Sequence, residues 1–210
     1  MQLVHPAYLT ILGHLRSKTL ENFKSRLEQS LNCGEGFAAS VRTCGQSCML
    51  EFDKGCADAS IRLAKWDASK VREKLRRDIE THASSVCNLK LSEMIKKYEK
   101  QLAGALTEPV ESLFEAGGRD TWVSIRGLLK RETEVAVSGL LADFASFELD
   151  RFSAVFNHDN DSMPRVWTGK EDIRTITKDA RSASLKLLSV MAAIRLDEKP
   201  DKIEKYFFPL

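Results

Sequence analysis

Helix-breaking residues are few: glycine occurs 11 times and proline 5 times in 210 residues. A chain so poor in both is neither collagen-like nor a Gly/Pro-rich low-complexity linker. No segment alternates β-branched with polar residues, which removes the sheet classes. An excess of one charge is missing too, the formal net charge being +2, so no long-range field draws the whole chain to nucleic acid or an anionic membrane. Long apolar runs are absent. The most apolar, "LKLLSVMAAI", is about half the ~20 residues that cross a bilayer and carries Lys186. The start, "MQLVHPAYLTILGHLRSK", has no basic stretch followed by a long apolar run and a small-residue cleavage site, so it does not read as a secretory signal. These absences imply a soluble, cytosolic chain without a membrane-spanning segment and without nucleic acid as a partner.

Motifs that carry chemistry are missing in the same way. Thr168, Gly169 and Lys170 suggest a phosphate-binding loop, but Pro164 stands where its first glycine belongs and Glu171 where its magnesium-binding hydroxyl belongs. Proline supplies no N–H, and a carboxylate repels a triphosphate. "CGEGFAAS" has neither a preceding strand nor the third glycine of a dinucleotide fingerprint. Asp159 and Asp161 lack the glycine and distal glutamate of a calcium loop. His5, His14, His82 and His158 are scattered, without metal-ligand or catalytic spacing. The cysteines Cys33, Cys44, Cys48, Cys56 and Cys87 form no paired C-x-x-C units. The sequence therefore offers no catalytic, cofactor-binding or metal-binding residue, and no cofactor of its own.

What is present is helical periodicity. Hydrophobic residues make up 43% and charged residues 30% of the chain, a balance suited to an all-α, elongated multi-helix bundle with long helices and short connections. The first helix covers about residues 6–32, with Tyr8, Leu12, Leu15, Phe23, Leu27 and Leu31 on one face and Gly34 ending it. The second runs over about 35–65, where Cys44, Cys48 and Cys56 continue a stripe through Phe37, Val41 and Phe52, reading as core thiols in a reducing compartment. Asp67 caps a third helix with Val71, Leu75, Ile79, Val86, Leu89, Met94, Tyr98, Leu102 and Leu106 on a drifting face. "TEPVESLFEAGG" reads as a separate short helix closed by Gly117 and Gly118, and Asp120 or Thr121 opens another through Trp122, Ile125, Leu129, Ala136, Leu140, Phe144 and Phe147.

Residues 1–156 thus form the main helical segment and 157–167 a polar linker, with a C-terminal amphipathic helix over 168–197 and a divergent tail over 198–210. Thr168 and Glu171 form the capping box of that last helix, and Ile173, Ile176, Ala180, Ala183, Leu187, Val190 and Ile194 its heptad-like seam. Lys70, Arg72, Lys74, Arg76 and Arg77 make a basic block, but Glu73, Asp78 and Glu80 interleave with it. Pairs such as Glu73 with Arg77 make it an ion-paired helix face rather than a lipid or nucleic-acid site.

Four stretches go beyond periodicity: "HPAYLTILGHLRSKTLENFK", "CMLEFDKGCADA", "WDASKVREKLRRDI" and "HDNDSMPRVWTGKEDIRTITKDARSASLKLLSVMAAIRLD". They closely resemble the ROOT HAIR DEFECTIVE 3 family, plant dynamin-like GTPases related to the atlastins that fuse and shape tubular endoplasmic reticulum. The resemblance implies a helical middle, or stalk, region. In the parent it would lie on the cytosolic face of the endoplasmic reticulum, with GTP and magnesium bound elsewhere, and would associate homotypically with family members through helical faces. Asp150 and Arg151 look like a junction across an omitted helical segment. A second reading is a non-catalytic helical interaction module that binds or competes with full-length relatives.

Overall fold

The computed structural model describes residues 4–59, 67–147 and 170–196. Among them there are five α-helices and no strand: α1 (Val4–Asn32), α2 (Phe37–Ala59), α3 (Ser69–Ala116), α4 (Thr121–Ser146) and α5 (Lys170–Leu196). The all-α expectation holds. The linker over 157–167, Thr168 of the capping box, the join at Asp150 and Arg151, the tail over 198–210, and His158, Asp159 and Asp161 lie outside the described residues.

Helix ends follow local chemistry. Gly34 takes φ +80°, a conformation only glycine adopts freely. Its N–H donates to the Leu31 carbonyl and that of Glu35 to the Ser30 carbonyl, both at 3.1 Å, the paired bonds of a Schellman stop. At α3 the Ala68 carbonyl accepts the first helical N–H, from Arg72, at 2.9 Å, so the cap position falls one residue after the expected Asp67, whose carboxylate takes the Ser69 N–H at 2.8 Å and the Ser69 hydroxyl at 2.7 Å. That N–H holds the Asp67 carboxyl below its ordinary range. At α4 the Asp120 carbonyl accepts the first helical N–H, from Ser124, at 2.9 Å, which settles Asp120 over Thr121 as the cap.

The short helix expected over "TEPVESLFEA" does not exist separately. α3 runs unbroken to Ala116 with Pro109 inside it. An internal proline costs about 3 kcal/mol, but Leu102, Leu106 and Val110 bury one continuous face across it. Each such side chain gains roughly 1.5–3 kcal/mol from burial, so packing wins.

The chain divides into two compact units, and the division falls inside α3. The first comprises α1, α2, α3 up to Asn88, and Phe147; the second comprises α3 from Leu89, α4 and α5. In the first unit, contacts between Arg26 and Ser47 and between Leu15 and Gly55 set α1 and α2 antiparallel. Arg72 to Asp53 and Arg16 to Asp78 then place α3 antiparallel to α2 and alongside α1. Its core joins Leu12, Phe23 and Leu27 to Phe37, Cys48 and Phe52 and to Leu75, Ile79, Ala83 and Cys87.

The second unit repeats the up-down-up plan. Lys97 to Asp143 and the edge-on pair Phe114 and Trp122 align α3 with α4, and Arg181 to Glu134 joins α4 to α5. At its centre Tyr98, 2% exposed, places its hydroxyl 2.9 Å from the Ala180 carbonyl and 2.6 Å from Ser184 Oγ.

Two expected faces are corrected. On α3, Ala83, Cys87 and Leu91 are buried, whereas Leu89 is 59% exposed and Val86 only half-buried. On α5 the buried line is Thr177, Ala180, Ser184, Leu188 and Ala192, while Val190 and Ile194 of the expected seam are 46% and 80% exposed. Small residues let the helix backbones approach, and Ser184 is held inward by the Tyr98 hydroxyl. Replacing Tyr98 by Phe should cost about 1 kcal/mol, because one buried hydrogen-bonding group is lost while packing is kept. Differential scanning calorimetry should show this as a Tm drop of roughly 2–4 °C.

Candidate interaction groove and charged face

The basic block folds into a chain of ion pairs on one side of α3 in the first unit. Arg72 grips Asp53 of α2 with two bonds, Nε to Oδ1 at 2.8 Å and Nη2 to Oδ2 at 3.1 Å. Arg76 donates to both oxygens of Glu73, at 3.0 and 2.8 Å, and to Glu80 at 2.9 Å. Arg77 adds a bond to Glu73 at 3.2 Å, the pair expected from the spacing. The expectation of an ion-paired face holds for these three arginines. Two pairings escaped the sequence reading: Arg72 with Asp53 and Arg16 with Asp78 join residues 19 and 62 apart, and no local spacing announces them.

Environment separates the two glutamates. Hydrogen bonding from Arg76 holds Glu73 below the usual carboxylate range. Burial pushes Glu80 above that range, outweighing the opposing pull of Arg76. Arg76 itself is drawn upward first by its bonds to Glu73, so its charge is spent mainly on that partner.

Beside this face, α2 and α3 leave a groove of about 550 Å³, whose apolar lining is Val41, Gly45, Met49, Leu50 and Ile79, with Arg42, Gln46, Asp53, Arg72, Arg76 and Glu80 as its polar lining. Leu50 is 70% exposed. The Gly45 position keeps the groove open, since a Cβ there would meet only Ile79, at 3.9 Å. Sequence reading passed over the groove because its residues come from two helices and include a glycine. The arrangement can receive an apolar ridge; it presents no nucleophile paired with a base.

The thiols follow the expected stripe. Cys44, Cys48, Cys56 and Cys87 are buried, and Cys33 is exposed at the turn after α1. Burial raises the Cys48 and Cys56 thiols and pushes Cys87 up to about 12. His82 sits edge-on to Phe23 with ring centroids 6.1 Å apart, and burial lowers its pKa. Among the described residues no three His, Cys, Asp or Glu side chains gather as a metal site, and no helix is long and apolar enough to cross a membrane.

Two measurements follow from these environments. Maleimide labelling of the native protein followed by mass spectrometry should modify Cys33 within seconds and the four buried cysteines only on unfolding. For Glu80 the folded carboxyl binds its proton more readily than the unfolded one, whose pKa is near 4.5. Stability contributed by this group therefore rises as pH falls through the window from the raised value down to 4.5. Denaturation of the wild type and of Glu80→Gln across that window should show the wild type gaining on the variant towards the acidic end.

Comparison with known proteins gives this architecture a place. The family described as the Sey1 three-helix bundle domain matches residues 1–151 and again 149–209. Protein ROOT HAIR DEFECTIVE 3 homolog 2 of Arabidopsis thaliana is 56% identical over 244 residues, covering 99% of this chain and 29% of that protein. Protein ROOT HAIR DEFECTIVE 3 of Oryza sativa subsp. japonica is 50% identical over 240 residues, 97% of this chain and 30% of its own length. The Protein SEY1 homolog of Dictyostelium discoideum is 30% identical over 115 residues, 54% of this chain and 10% of that protein. No solved structure matches. The chain spans less than a third of the length of these relatives. The 244 aligned residues exceed the chain's 210, so at least 34 positions of the Arabidopsis protein have no counterpart here, and the two family matches meet at 149–151, where the sequence suggested a junction. With its two three-helix units and a match along nearly all its length, the chain belongs to the ROOT HAIR DEFECTIVE 3 and Sey1 family, as a three-helix bundle region.

Proposed function

We propose that the chain is the helical stalk region of a dynamin-like GTPase that fuses and shapes tubular endoplasmic reticulum, the parent coupling GTP hydrolysis to membrane fusion. The observation that carries this reading is the family match along both units within less than a third of the relatives' length. Nucleotide chemistry and magnesium belong to other parts of the parent, since Gly169 and Lys170 stand in a sequence without the phosphate cradle. The stalk acts mechanically: packed helices carry a displacement from the nucleotide domain to a membrane anchor as a unit, because close-packed cores shift between discrete arrangements rather than deform continuously. Homotypic association between stalks on the cytosolic face of the endoplasmic reticulum would bring two membranes together.

The reading is tested with a chimera of the Arabidopsis relative in which the matched residues are exchanged for this chain's, the relative's own segment being kept at the 149–151 gap. Reconstituted in vesicles with GTP and magnesium, the chimera should mix lipids at a rate within about threefold of the parent, a barrier change below about 1 kcal/mol. A chimera that hydrolyses GTP normally and leaves the vesicles separate overturns the proposal. The isolated 210-residue chain, titrated calorimetrically with GTP and magnesium, should give no saturable heat.

A further inference from the structure

Four of the five cysteines are buried and one is exposed, and the exposed one shares a cleft with a core thiol. Cys33 stands just beyond the last residue of α1, Asn32. It lines a cleft of about 380 Å³ between the end of α1 and the first three turns of α2, and Cys44 lines the same cleft, together with Ser30 and Ser47. Ser30 Oγ lies 3.9 Å from Cys44 Sγ. Cys33 follows Ser30 by three residues, and side chains so spaced are neighbours on one helix face, about 5–6 Å apart at Cβ. Cys44 is 6% exposed, and Cys48, one turn further along α2, is 0% exposed. An accessible thiol therefore faces the same small cleft as a shielded one. We propose that Cys33 and Cys44 are a redox pair: a peroxide oxidises Cys33, and Cys44 resolves it into a disulfide that ties the end of α1 to α2.

The chemistry balances. The Cys33 sulfur attacks one oxygen of hydrogen peroxide, the O–O bond breaks, and the other oxygen leaves as water with the thiol proton, giving a sulfenic acid. The Cys44 sulfur then attacks that sulfur, an S–S bond forms, and the hydroxyl departs as a second water with the Cys44 proton. The two thiols lose two electrons, and the peroxide gains them. Exposure assigns the order: Cys33 meets the oxidant in solvent, while Cys44 is shielded and serves the second step. Closure needs movement, because a disulfide holds its Cβ atoms about 3.5–4.5 Å apart, whereas packed helix axes stand about 8–10 Å apart. The α1 side supplies it. There the chain has left the helix, and the turn is held by the N–H groups of Cys33, Gly34 and Glu35 on the carbonyls of Gln29, Leu31 and Ser30, at 3.0, 3.1 and 3.1 Å. Helix ends open at a small part of the global free energy, and Gly34, at φ +80°, adopts other conformations without steric cost. Oxidation thus captures the opened turn, exchanging the Schellman stop for a covalent bond. Transient disulfides of this kind are those that a reducing compartment permits. The proposal is independent of the stalk role, since it concerns thiols of the first unit alone.

The test treats the 210-residue chain with a modest molar excess of hydrogen peroxide, blocks the remaining thiols with maleimide, and maps the digest by mass spectrometry without reductant. The expected product is a cross-linked pair of peptides carrying Cys33 and Cys44, lighter than the separate peptides by two hydrogens and separated again by dithiothreitol. Amide hydrogen exchange at Gly34 and Glu35 should quicken at least tenfold in the oxidised chain, because their hydrogen bonds are given up. In Cys44→Ser the first step proceeds and the second does not, so dimedone should trap the sulfenic acid of Cys33 where it traps little in the wild type. Cys48→Ser should behave as the wild type, and both variants should keep the helical circular dichroism. The proposal is overturned if wild-type Cys33 stops at an oxygen acid while Cys44 stays free, or if it pairs with Cys48 or with Cys33 of a second chain. Unchanged exchange at Gly34 and Glu35 in the cross-linked chain would equally overturn the captured turn.

Discussion

Both units rest on the burial of α3. In the first unit Leu75, Ile79, Ala83 and Cys87 enter the core, and in the second Leu91, Tyr98, Leu102, Leu106 and Val110 do. Most of these positions advance in steps of four, and each such step turns the buried line about 40° around the helix. A helix obliged to serve two cores must keep its backbone bonds continuous from one to the other, and burial within the second core alone explains how Pro109 is tolerated. With Leu106 on one side and Val110 on the other both buried, ending the helix there would expose more apolar surface than the lost hydrogen bond is worth.

The charged residues are organised by the same helix. Arg72 and Asp78 each reach a different neighbour, Asp53 on α2 and Arg16 on α1, while Arg76 and Arg77 turn inward to Glu73 and Glu80 along α3. Exposed pairs of this kind add little stability singly. Their effect is on choice: they fix which helix lies beside which, and they leave three arginines of the basic block already neutralised.

How much of this was legible depended on residue size and on distance along the chain. Helix ends were readable because Gly34 and Asp67 act on neighbours within a few positions. The thiol stripe was readable because Cys44, Cys48 and Cys56 share a period with large residues. The inner faces of α3 and α5 were misread where small residues do the packing: Ala83, Cys87, Thr177, Ser184 and Ala192 carry little hydrophobic signal, yet they permit close approach. The groove was invisible for the complementary reason, since Gly45 contributes by what it leaves empty. Tyr98 was read as core, but its hydroxyl's partners lie 82 and 86 residues away.

A helix shared by two cores also constrains how such a chain can change its length. One residue added to α3 near Asn88 and Leu89 would turn every later side chain by about 100° relative to the earlier ones. Tyr98 keeps Ser184 within the second unit, and Leu75 and Ile79 keep their partners within the first, so each core survives an insertion at that division, whereas one placed inside either core's own stretch of α3 would swing its later side chains out of register.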